Sequence, residues 1–116
     1  MFAVIYKGHV HQGVEAEYKR LWRQIAQYFI EHRGALGSCL HKTAEGEWVA
    51  YSRWPDKAMR DASWPQEGEN VDESLSIEIK DAIESLKKCI DKDQPYQEIC
   101  MEVIDDFLFS KEHSHA

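Results

Sequence analysis

The sequence predicts an α+β fold: a ferredoxin-like βαββαβ chain with a four-stranded antiparallel sheet and two long helices on one face. Three observations carry this. Two separate stretches repeat apolar residues at three- and four-residue steps. Both ends of the chain alternate with period two. The middle, Gly34 to Asp56, reads as two strands around a tight turn.

The elements follow in order. Phe2 to Val10 is the first strand, with Phe2, Val4, Tyr6, Gly8 and Val10 on one side and Ala3, Ile5, Lys7 and His9 on the other. Both sides begin apolar, which predicts a central strand covered on both faces over its first half. After the connector His11-Gln12-Gly13, Val14, Tyr18, Leu21, Trp22, Ile25 and Phe29 form a helical stripe opposite Lys19, Arg20, Arg23 and Gln24. Glu15 and Glu17 suit the positive end of the helix dipole, and Gly34 is a natural residue just past its end. Roughly twenty helical residues would span about 30 Å.

The hairpin is expected to turn at Glu45-Gly46. A two-residue loop would pair Ala44 with Glu47, and so Leu40 with Tyr51 and Cys39 with Ser52. Trp54-Pro55 ends the second strand, and Asp56 is placed to cap a short helix reaching Trp64. The polar stretch 65–74 reads as an exposed loop, with Asn70 and Glu73 arranged like a helix cap. Leu75, Ile79, Ala82, Ile83, Leu86 and Ile90 mark the second long helix. Asp91 to Pro95 is its exit turn. The last strand lies within Tyr96 to Phe109, where Ile99, Met101 and Val103 alternate. Residues 1–109 form one domain, and 110–116 read as a flexible tail.

Fourteen basic residues against twenty-one acidic ones give a net charge of −7. That sign disfavours nucleic acid or an anionic membrane surface as partner. No apolar run approaches the ~18 residues of a membrane span. The N-terminus lacks the charge pattern of a targeting peptide, so the expected location is cytoplasmic. Cys39, Cys89 and Cys100 are odd in number and widely spaced, as expected of reduced thiols serving as small apolar side chains. The helices cover one sheet face, and the other still carries Ile5 and several hairpin residues. An uncovered apolar face predicts a homodimer packed through its sheets.

With this order in place, the residues resemble a family. The stretch GSCLHKTAEGEWVAYSRWPD, preceded by FAVIY and LWRQI, resembles the antibiotic biosynthesis monooxygenase superfamily of dimeric α+β barrels. Ile104-Asp105-Asp106-Phe107-Leu108 resembles the closing strand of some small bacterial members. The resemblance implies a homodimer with a pocket in each subunit between sheet and helices. It also implies one of two chemistries: cofactor-independent oxygenation of aromatic polyketides, or haem degradation. The haem-degrading branch has an asparagine on the first strand, a tryptophan in the short helix after the hairpin, and a histidine further on. Tyr6 falls near the first position and Trp64 within one residue of the second. No histidine occurs between His41 and His113, so the axial ligand is missing. The polyketide oxygenases hold their substrate with asparagine, tryptophan, tyrosine and arginine. Tyr6, Trp22, Trp64 and Arg60 are the nearest types, which makes them the candidate substrate-pocket residues.

Other constellations are weaker. His9 and His11 share one side of a strand end at a spacing that can bind metal, but have no acidic or cysteine partner. His113 and His115 fall in the tail, and His41 is expected at the surface or an interface. Arg53 and Arg60 could each meet an anionic substrate group, although pairing with Asp56 or Asp61 is the commoner fate of such residues. There is no phosphate-binding glycine loop, nucleophile elbow or zinc-type cysteine pairing. The residues alone name no reaction; the resemblance implies a cofactor-independent monooxygenase of a small aromatic substrate, with no metal and no other cofactor. A non-catalytic dimeric module for small-molecule binding or assembly is the alternative. Haem degradation ranks third.

Overall fold

The computed structural model describes residues 1–64 and 73–108. Its elements are β1 (Phe2–Gly8), α1 (Glu15–His32), β2 (Gly37–Lys42), β3 (Trp48–Trp54), α2 (Lys57–Ser63), α3 (Ile77–Cys89) and β4 (Gln97–Glu102). The four strands form one antiparallel sheet in the order β2-β3-β1-β4. This is the expected βαββαβ arrangement, with α2 as the short addition after the hairpin.

β1 is central, and Phe2, Ala3 and Val4 are all buried, although they alternate between faces. The strand stops at Gly8, earlier than its apolar alternation suggests. Val10 instead makes an isolated bridge to Ile90, and the His11 N–H donates to the Cys89 carbonyl at 2.8 Å. The chain leaving β1 is thus tied to the end of α3.

α1 buries Tyr18, Leu21, Ile25 and Phe29, the predicted stripe. It ends at His32, and the chain leaves it through Gly34, whose φ of 83° only glycine adopts without cost. α3 packs beside it through Ile79, Ala82, Ile83 and Leu86. Asp56 caps α2 by accepting from the Met59 N–H at 2.9 Å, as its position predicts. The cap of α3 differs: Ser76 accepts from the Ile79 N–H at 3.3 Å. Asn70 lies outside the described residues and six positions ahead of that cap. Ser76 stands directly before the first helical turn, where a side-chain oxygen reaches the unpaired N–H groups.

The hairpin register is one residue away from the expected one. Leu40 pairs with Ala50 and Cys39 with Tyr51. The reason is a three-residue loop. The Thr43 N–H donates to the Glu47 carbonyl at 2.8 Å, and the Gly46 N–H donates back to the Thr43 carbonyl at 3.0 Å. Gly46 takes φ 87°, the left-handed position that ends such a loop. With this register Trp48, Ala50, Ser52 and Trp54 face the helices beside Phe2, Val4 and Tyr6.

The outer face carries Ile5, Val49, Tyr51, Ile99 and Met101, all half-buried in the single chain, and exposed Cys39. The stretch after β4 turns back here. The Val103 N–H donates to the Met1 carbonyl at 2.9 Å, and Asp106 pairs with Arg53 at 2.7 Å. Arg53 therefore pairs with neither Asp56 nor Asp61. Cys89 is a core residue as expected, whereas Cys39 and Cys100 are exposed in the single chain; all three are free. Most of the expected 65–74 loop, Phe109 and the 110–116 tail lie outside the described residues. Among those described, no helix is long and apolar enough to cross a membrane.

Candidate active site

The space between sheet and helices contains a partly open cavity of about 90 Å³. Tyr6, Trp22 and Trp64 all line it, together with Phe29, Trp48 and Trp54. Each element contributes by simple geometry. Tyr6 is the third helix-facing residue of β1. Trp22 lies one position past buried Leu21 on α1. Trp64 closes α2, its N–H donating to the Arg60 carbonyl at 2.9 Å. Trp64 stands 6.1 Å from the Tyr6 ring and meets Phe29 edge-on at 6.2 Å, while Phe29 is 5.7 Å from Trp54. These tilted and edge contacts are the favoured aromatic arrangements.

Trp64 is held from behind. Arg33, just past α1, donates to Ser63 Oγ at 3.1 Å, to the Ala62 carbonyl at 2.9 Å and to Ser74 Oγ at 2.7 Å. One guanidinium thus joins the end of α2 to the approach of α3.

Arg60 does not line the cavity. Its side chain is 2% exposed and sits behind Tyr6. Nη1 donates to Tyr6 Oη at 3.1 Å and to Glu98 Oε1 at 2.7 Å, and Nε donates to Asp61 Oδ1 at 2.8 Å. Nη2 lies 3.5 Å from Cys100 Sγ. The expected pairing with Asp61 is present, but the main partners come from β1 and β4. Burial works against the charge; Tyr6 and Glu98 outweigh it, so Arg60 is held above the usual guanidinium value.

This cluster decides the state of Tyr6. Burial pushes its phenol up to about 12, against the opposing pull of Arg60. The phenol is therefore neutral at ordinary pH. Its oxygen accepts from Arg60, and its own proton remains for another acceptor. Tyr18, which meets Trp48 edge-on at 5.3 Å, is likewise pushed up to about 12 by burial.

His9 is the cavity residue whose role the residue types did not suggest. It follows β1 directly and lines the cavity beside Gly8. Its Nδ1 lies 3.4 Å from the Pro95 carbonyl. A carbonyl only accepts, so this contact places an N–H on Nδ1. His11 is exposed beside Lys87 and Lys88 in a separate surface groove, so the two imidazoles do not converge on one site. Among the described residues, no group of three metal-ligating side chains occurs. His41 is exposed on the outer face, its Nδ1 3.0 Å from the Val49 carbonyl. Alternation assigns His9 to the side away from Tyr6; β1 ends at Gly8, so that alternation no longer holds where His9 lines the cavity.

No protein-family model matches this sequence, and no curated protein matches it. Solved structures do match in fold. SnoaB, a cofactor-independent oxygenase from Streptomyces nogalater, superposes with a TM-score of 0.66 at 13% identity, covering 92% of this chain and 96% of its own. Rv0793 from Mycobacterium tuberculosis gives 0.64 at 15% identity, over 90% and 96%. A crystal structure of an antibiotic biosynthesis monooxygenase gives 0.65 at 14%, over 90% and 100%. The chain therefore has the fold of the antibiotic biosynthesis monooxygenases. At these identities the likeness speaks for the fold.

Proposed function

We propose that this protein is a cofactor-independent monooxygenase that oxidises a small electron-rich aromatic compound inside the cavity. The observation that carries the reading is the Arg60–Tyr6 pair: an aromatic-walled cavity lined by a neutral phenol whose oxygen accepts from a buried guanidinium. In this reading the phenol donates its proton to a developing oxyanion. The fold shared with a cofactor-independent oxygenase supports it.

In this reading the substrate is its own reductant. His9 Nε2 takes a proton from an acidic ring position, and the negative charge spreads onto a substrate oxygen. Tyr6 Oη–H donates to that oxygen, which makes the carbanion easier to form. Trp22 and Trp64 hold the ring plane. The anion transfers electrons to O₂ and a C–O bond forms. The O–O bond then breaks as the remaining C–H proton leaves: that C–H electron pair becomes the C=O bond, and the departing oxygen leaves as water with this proton and the one His9 returns. A ring CH₂ and O₂ become C=O and H₂O, so atoms and electrons balance without a further reductant. Arg60, fully occupied by Tyr6, Glu98 and Asp61, positions the phenol and does not meet the substrate.

Oxygen uptake with a panel of anthrones and hydroquinones tests this. Tyr6→Phe, which removes the donated proton together with the oxygen that accepts from Arg60, should lower kcat by about 10²-fold or more, starting from the range of a single oxyanion donor. His9→Ala should lower it by about 10²-fold or more. Full turnover by either variant removes that residue from the mechanism. A wild-type protein that retains an aromatic ligand but consumes no oxygen is a binding module instead.

A further inference from the structure

Ser38 and Ser52 stand directly opposite each other on β2 and β3. Both share the helix-facing side with Leu40, Ala50 and Trp54, and both line the cavity half-buried. No hydrogen bond engages either hydroxyl among the described residues, and neither oxygen is sealed away from open space. Two adjacent hydroxyls on the wall of a largely apolar and aromatic cavity can both donate to and accept from a polar group that enters it.

Their placement relative to Tyr6 adds to this. Tyr6 pairs with Ala50 on β3, two residues before Ser52, and β2 lies beyond β3. Neighbouring strands are about 4.8 Å apart, so β1 and β2 are separated by roughly 10 Å. Ser52 stands on the strand next to Tyr6 and Ser38 one strand further, so the pair lies across the sheet from Tyr6 over a width that a fused-ring arene can span. Trp22, Trp48, Trp54 and Trp64 line the same cavity. Its described lining contains no Asp, Glu, Lys or Arg. A charged ligand would lose its hydration there with no counter-charge in return.

We propose that Ser38 and Ser52, on the two strands next to and beyond that of Tyr6, form a second polar subsite that receives a carbonyl or phenolic oxygen of an uncharged fused-ring arene. This rests on the reading of the cavity as a site for aromatic molecules, and it specifies which ones: neutral compounds oxygenated at both ends of the ring system. Carboxylates are rejected.

Four matched probes test it by tryptophan fluorescence quenching and calorimetry: naphthalene, 2-naphthol, 2,6-dihydroxynaphthalene and 6-hydroxy-2-naphthoate. The wild type should bind the diol about 3- to 10-fold more tightly than 2-naphthol, the effect of one added hydrogen bond. The naphthoate should bind at least 10-fold more weakly than the diol. In the Ser38→Ala/Ser52→Ala double variant the diol should lose its advantage while 2-naphthol binds as before, which also shows that the variant is folded. The single variants should fall between. A diol preference unchanged in the double variant overturns the subsite, as does a naphthoate that binds as well as the diol. Equal binding of all four by wild type overturns the subsite and leaves the arene cavity standing. Failure of every probe to bind overturns both.

Discussion

Tyr6 and Arg60 illustrate how much one buried pair controls at the scale of residues. An arginine near a substrate pocket invites the role of anion partner, yet Arg60 spends its donors on Tyr6, Glu98 and Asp61. The two acids supply its counter-charge, and what reaches the cavity is the neutral phenol of Tyr6. Tyr6 and Tyr18 both have pKa values raised above the usual phenol value of about 10, to about 12. A raised phenol favours the folded state fully below pH 10, and that contribution fades as pH climbs through the folded value near 12. Phenolate absorbance should therefore show two of the five tyrosines ionising late, near pH 12, with thermal stability falling over pH 10–12. Five tyrosines titrating together near pH 10 in the folded protein would contradict the buried placement. Arg60→Met should cost about 2–4 kcal/mol in urea unfolding, because Glu98 and Asp61 lose a buried partner. A loss below about 0.5 kcal/mol would mean that the cluster is solvated.

Elements end where single residues let them. Asp56 satisfies a backbone donor at the start of α2, so Asp56→Ala should cost about 1 kcal/mol by denaturant titration. Gly34 and Gly46 both take left-handed φ, but their surroundings differ. A Cβ at Gly46 meets nothing, so Gly46→Ala should cost about 1 kcal/mol from backbone strain alone. A Cβ at Gly34 would overlap Met59 Cε, so Gly34→Ala adds a displacement of that side chain and should cost more. An equal loss at the two glycines would show that Met59 yields freely. Gly46 alone does not fix the hairpin register. Its left-handed conformation was legible, but it serves two-residue and three-residue loops alike. The Thr43–Glu47 pairing that selects the longer loop cannot be read from the turn residues.

The whole molecule leaves one sheet face to the helices and presents Ile5, Val49, Tyr51, Ile99 and Met101 on the other. Phe107 and Leu108 follow β4 and are exposed in the single chain. We expect two copies to pack through these outer faces, since a domain of this size gains little from leaving such a surface wet. Sedimentation velocity should give a dimer for wild type, and Ile99→Asp should shift it towards monomer while circular dichroism is retained. A wild type that sediments as a monomer at high concentration removes the barrel arrangement. The cavity, built within one chain, would remain.

Periodicity and turn chemistry were sufficient for the strand and helix order, for the core stripe of α1 and for the Asp56 cap, because each depends on residues close in sequence. Tyr6, Trp22 and Trp64 were legible as aromatic residues on known elements. Their meeting around one space, the addition of His9, Ser38 and Ser52, and the withdrawal of Arg60 behind Tyr6 were not. Those depend on which strands lie side by side and on a register that a single loop residue shifts. Sequence patterns of short range specify each face of an element; only the packing of distant segments decides what that face meets.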